Sequence, residues 1–152
     1  MKKILCIATI IFVFAFNVFA SSTNTYIFHD GGNTKQLRIT ITCGAGTATA
    51  TVTKIPYNFR GYILTSVETY YGSTGMTDDS DLLIYQHSGT AGKDILNGAG
   101  TNMLDNATNN TFKPWINSTE AFALVTGDLY ITFSNNSVDA AIVEVVLNFI
   151  KA

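Results

Sequence analysis

The sequence is poor in the residues that announce chemistry. Of its 152 residues only two are cysteine, two histidine and one tryptophan, and charged residues make up 13%. Cys6 lies in an apolar N-terminal run that is expected to be removed, which leaves Cys43 alone and excludes an intramolecular disulfide in the exported chain. A catalytic thiolate needs a neighbouring base and an electropositive setting, and none stands near Cys43. Its place at the end of the run Leu37, Ile39, Ile41, Cys43 reads instead as the buried face of a strand. There is no G-x-S-x-G elbow, no H-E-x-x-H pair and no glycine-rich phosphate loop. Basic excess is also missing, since the formal net charge is −2. Mild acidity argues against nucleic acid, which would be met by a basic face, and against anionic membrane surfaces.

What is present begins with an export signal. Lys2 and Lys3 precede an apolar run from Ile4 to Phe16, and Val18-Phe19-Ala20 offers small residues at the positions a signal peptidase reads. Residues 1–20 are read as a secretory signal peptide cleaved after Ala20, and the protein as secreted or displayed at the cell surface. The alternative, a retained anchor, needs about 20 apolar residues, and this run is shorter. Cleavage removes Lys2 and Lys3, so seven basic and eleven acidic residues remain. No membrane contact is expected of the cleaved chain.

The remainder is written in a β alphabet of Thr, Val, Ile, Tyr and Phe punctuated by Gly and Asn. Gln36 to Cys43 alternates strictly, as does Thr47 to Lys54 beyond Gly44-Ala45-Gly46, which predicts a hairpin. Strands are expected at Gly61–Tyr71, Leu82–His87, Leu129–Ser134 and Ala141–Ile150, with irregular ones near Ile95 and around Thr111–Ile116. Residues 21–35 read as an extended N-terminal arm with one short strand at Tyr26–His29, and residues 36–152 as the domain. About eight closely spaced strands predict an all-β fold, a single antiparallel two-sheet β-sandwich of jelly-roll or immunoglobulin-like type. A chain of this size buries roughly two-thirds of its unfolded surface and needs no staple to fold.

Few residues stand out as sites. Asp78, Asp79 and Asp81 place three carboxylates within four residues, hard oxygen ligands of the kind Ca²⁺ takes. The spacing matches no EF-hand, and a solvated loop tip is the simpler reading. No cofactor is expected beyond that calcium. His29-Asp30 and His87 would serve a metal or a catalyst only if they converged. Glu68 and Glu144 lie within expected strands and are the acids from which a glycosidase pair would be drawn. Trp115, Tyr70, Tyr71 and Tyr85 are candidates for a sugar-stacking platform, although alternation puts Tyr70 and Tyr71 on opposite faces. Asn106, Asn109, Asn117 and Asn135 begin N-glycosylation sequons, read here as turn composition.

Three pieces carry a resemblance: the strand from Gly61 ending in Tyr70-Tyr71-Gly72, Ser88-Gly89-Thr90 after Leu82–His87, and Leu124-Val125-Thr126-Gly127-Asp128-Leu129-Tyr130 before the closing strand. Over residues 61–147 the chain resembles β-sandwich proteins of phage virions. That resemblance implies a structural subunit or surface decoration. The expected function is therefore an exported, non-catalytic β-sandwich that builds or decorates an extracellular or virion-like assembly, by self-association or with other surface proteins. The alternative is a carbohydrate-binding or adhesive module with a glycan as partner.

Overall fold

β-branched and aromatic residues alternating with polar ones give strands with one buried and one open face. The computed structural model describes residues 23–43, 53–87, 91–116 and 119–152. Among them there is no α-helix. The long strands are β1 (Thr23–Asp30), β2 (Thr34–Thr42), β4 (Tyr62–Tyr71), β5 (Asp81–Gln86), β11 (Leu129–Ser134) and β12 (Ile142–Lys151). Short ones are β3 (Thr53–Lys54), β6 (Lys93–Asp94), β7 (Asn110–Phe112), β8 (Trp115–Ile116), β9 (Thr119–Glu120) and β10 (Ala123–Leu124). Pairing is antiparallel throughout. One six-stranded sheet runs β1-β2-β12-β4-β10, with β7 also on β4, and a four-stranded sheet runs β3-β11-β5-β6. β8 and β9 form a separate two-stranded ribbon.

The two main sheets share one core. Leu37, Ile39, Val67, Val145 and Leu147 from the large sheet meet Leu82, Ile84, Leu129, Ile131 and Phe133 from the small one. Irregular segments fill the ends with Ile55, Phe59, Met76, Leu96 and Leu104. Each such side chain contributes roughly 1.5–3 kcal/mol on burial. Phe59 stacks on Phe149 at 4.1 Å between ring centroids, and Phe28 stacks on Tyr57 at 4.7 Å. Cys43 is buried, as its place in the alternation implies. Burial pushes its thiol pKa up, which makes it a packing residue rather than a nucleophile.

Two sequence expectations bear on the pairing. The strand expected at Tyr26–His29 is longer than expected and pairs within the domain: β1 pairs with β2 over its whole length, from Thr23 opposite Thr42 to Asp30 opposite Lys35. The contiguous trio Tyr26-Ile27-Phe28 hid the alternation, whose inward members include Tyr26 and Phe28. The hairpin expected after Cys43 also differs. Both sides of β2 are occupied, by β1 and β12, and Thr53–Lys54 joins β11 in the other sheet. Residues 44–52 of that expected hairpin lie outside the described residues, as does the expected signal peptide.

A β-bulge shapes the large sheet. Ser66 opposes Asn148 while Leu64 opposes Phe149, so Thr65 is the extra residue in β4. Thr65 Oγ1 donates to the Asn148 carbonyl at 3.0 Å. An unbulged strand could not put Leu64 and Val67, three residues apart, on one face. The extra residue lets both reach the core. It also turns Ile63 outward, opposite Ile150 on one side and Leu124 on the other.

Candidate functional site

The outer face of the large sheet is where polar chemistry collects. β2 contributes Gln36 and Arg38, β12 Glu144 and Asn148, and β4 Ser66, Glu68 and Tyr70. Strand order β2-β12-β4 and the register set them side by side. Asn148 is the centre. Its Oδ1 accepts from Gln36 Nε2 at 2.9 Å, and its Nδ2 donates to Ser66 Oγ at 3.1 Å and Glu68 Oε1 at 2.8 Å. The Tyr70 hydroxyl donates to Glu68 Oε2 at 2.6 Å. That bond to Glu68 raises the Tyr70 pKa, with desolvation adding to it. Arg38 Nη1 and Glu144 Oε1 form an ion pair at 2.7 Å. Val146 sits among these groups and is only 1% exposed, although it points away from the core cluster. A solvent-facing valine is sealed here by the stems and heads of its polar neighbours.

Where the bulge bends the sheet, the face changes character. Ile63, Ile150 and Leu124 stand opposite one another across β4, β12 and β10, with Ile150 44% and Leu124 50% exposed. Phe122, two residues before Leu124, is 59% exposed. Beside this apolar row lies an open depression of about 670 Å³ lined by His29, Thr34, Gln36, Thr65, Asn148 and Ile150 among others. At the same end of β2 the Lys35 ammonium is 3.4 Å from Asp30 and 4.6 Å from the Tyr62 ring centre. The Asp30 carboxyl is held below the usual carboxylate range, first by the Gly32 N–H and then by Lys35.

The sequence candidates meet different fates. Glu68 and Glu144 do share one face on neighbouring strands, Glu144 opposite Tyr70 and Glu68 opposite Val146. Each is fixed as an acceptor in the polar ladder. His29 lines the depression on the large sheet. His87 ends β5 of the small sheet with Nε2 3.1 Å from Thr126 Oγ1. Its ring packs on Gly127, where a Cβ would come within 2.3 Å of Nδ1, so this glycine is needed for close approach. Tyr85 belongs to β5, in the other sheet from Tyr70, so the tyrosines build no common platform. The side chain of Trp115 lies outside the described residues. Asn135, at φ 62°, donates to Asp81, and the Asn109 side chain accepts from the Tyr71 N–H.

The acidic loop is tied into the fold. Asp81 accepts from Asn102 N at 2.9 Å, Ser134 Oγ at 2.9 Å and Asn135 Nδ2 at 2.7 Å. Asp78 accepts from Asn106 N at 3.2 Å. Asp79 is exposed at φ 63°. Among the described residues no three His, Cys, Asp or Glu side chains form a group that would hold a metal ion, and Asp78, Asp79 and Asp81 are not brought together as one. Sequence reading missed Asp94, whose carboxylate accepts from Ile84, Leu96 and Gly98 N–H groups at 3.1–3.3 Å. A lone Asp before an Ile-Leu-Asn-Gly turn is the signal that would have found it. Comparison with family models, curated proteins and solved structures gives no match.

Proposed function

We propose that the chain is an exported, non-catalytic β-sandwich of jelly-roll or immunoglobulin-like type that serves as a structural or surface-decorating subunit of an extracellular or virion-like assembly. The observation that supports this most is the apolar row Ile63, Ile150 and Leu124, aligned across three strands, in which Ile150, Leu124 and the neighbouring Phe122 are open to water. Contiguous exposed apolar surface marks a contact site more often than isolated residues do. The test is localisation together with one variant. The protein is expected in the exported fraction with Ser21 as its first residue by mass spectrometry, associated with a particle or surface. Leu124→Asp is expected to release it as folded, soluble chain. Recovery of intact Met1 in membranes, or unchanged association of the variant, counts against the reading.

A second reading is a carbohydrate-binding module. It is favoured by the depression beside the ladder, where the amides of Gln36 and Asn148 are held in place by hydrogen bonds and offer fixed planar groups to a sugar. Glycan-array binding that is lost in Gln36→Ala selects this reading over assembly.

A further inference from the structure

The edges of the sheets are treated unequally. Strands β6 and β10 have two residues each, β7 has three, and the described part of β3 has two. Short edges offer little to a neighbouring chain. β1 is the exception. It forms the end of the large sheet with eight residues, Thr23-Asn24-Thr25-Tyr26-Ile27-Phe28-His29-Asp30. It contains no lysine, arginine, proline or glycine, and Ile27 at its middle is 54% exposed. Among the described residues none of the usual devices that blunt an edge is present except the terminal aspartate.

The hydrogen-bond phase shows which groups this edge offers. Gly31 N donates to Thr34 O, while Cys43 N and Lys151 N bond to Ala141 O and Asn33 O. Odd residues of β2 therefore bond to β12 and even ones to β1. The β1 partners of those even residues are Thr23, Thr25, Ile27 and His29. The N–H and C=O groups of Asn24, Tyr26, Phe28 and Asp30 then point to the open side, and among the described residues no backbone bond reaches them.

We infer that β1 is a self-association edge, pairing antiparallel with β1 of a second copy about a twofold axis at Ile27. Directly opposed residues share a face, so the axis must pass through a residue and not between two. An axis at Ile27 opposes Tyr26 to Phe28 and Asn24 to Asp30 of the other copy, so all four residues with free peptide groups find partners. An axis at Tyr26 would use only Asn24, Tyr26 and Phe28, and would set Asn24 against an aromatic ring. At Ile27 the pair is of the non-hydrogen-bonded kind, in which side chains approach most closely. The two exposed isoleucines cover one another on the outer face, while Tyr26 and Phe28 extend the inner aromatic cluster. The contact is isologous and closes as a dimer. This inference rests on reading the chain as an assembly subunit and names one of its contacts.

Sedimentation and disulfide trapping test it on the purified protein. The unsubstituted chain is expected at twice the monomer mass, with Cys43 too buried to cross-link. Ile27→Lys is expected to halve that mass while leaving the circular dichroism spectrum that of the folded parent. Ile27→Cys is expected to cross-link to a dimer on mild oxidation. Thr25→Cys alone is expected to stay uncross-linked, but mixed with His29→Cys to form the heterodimer. A monomeric parent chain overturns the inference. So does an oligomeric parent whose mass is unchanged by Ile27→Lys and which Ile27→Cys does not trap; in that case association uses another surface and the assembly reading stands.

Discussion

The two faces of the large sheet are built from the same strands and held by opposite means. Along β12 the residues alternate: Val143, Val145, Leu147 and Phe149 enter the core, while Glu144, Val146, Asn148 and Ile150 face out. Inward, each side chain meets apolar neighbours, and the energy is spread over many weak contacts. Outward, one amide makes three directed bonds, and a carboxylate–guanidinium pair and a tyrosine hydroxyl make the others. The inner face therefore carries stability, and the outer face carries specification of which groups stand beside which. That contrast explains why an exposed β surface is ordered enough to present a depression and an apolar row.

Neighbouring positions on β12 break the contrast most directly. Leu147→Ala removes a fully buried side chain and is expected to cost about 3 kcal/mol in chemical denaturation. Asn148→Leu, the next residue, keeps the size and removes the amide. It leaves Gln36, Ser66 and Glu68 without their shared partner, a cost of roughly 1–2 kcal/mol in the same measurement. A loss at Asn148 as large as that at Leu147 would mean that the ladder, and not the core, holds the sheet.

Smaller effects sharpen it. Glu144→Gln weakens the pair with Arg38, whose side chains are 26% and 40% exposed. The expected loss is under about 1 kcal/mol and shrinks further at high salt. The smallest effect lies on the other sheet. Asp128 is held below its usual pKa by the Lys54 hydrogen bond at 2.7 Å and by the charge of Lys54. A depressed carboxyl stabilises the fold above its unfolded pKa, and that contribution is lost as pH falls through the folded pKa. Lys54, raised by the same partner, loses its contribution as pH rises through its own folded pKa. Both groups are exposed, so Asp128→Asn is expected to lower the neutral plateau of a melting-temperature profile only slightly, with no change at the acid and alkaline extremes where the pair is already lost.

Much of the strand framework was legible because the alternation is local. The expected strands at Gln36–Cys43, Leu82–His87, Leu129–Ser134 and Ala141–Ile150 fall within two residues of β2, β5, β11 and β12. β1 was under-read because its inward set includes Asn24, and a polar residue pointing inward does not look like a strand's core face. Asn24 Nδ2 donates to Thr53 Oγ1 at 3.0 Å, linking the two sheets, a contact no local pattern announces. Ile55, Phe59, Met76 and Leu104 lie in segments without periodicity, yet they are buried to within about 1%. Of the site, Glu68, Glu144 and Tyr70 were visible as residues, but Asn148, which ties Glu68 to Ser66 and Gln36, was not.

The sequence by itself determined that the chain is all-β, where the main strands run, and that Cys43 is buried. These follow from period-two alternation, which each strand carries in its own residues. Only the tertiary structure decided that β12 lies between β2 and β4, that Thr65 bulges, and that β1 is left as a long end of the large sheet. Each of these depends on which strand becomes the neighbour of which. A pairing choice between segments more than a hundred residues apart, such as Gln36 with Asn148, is set by the global packing of the core and leaves no mark in either segment alone.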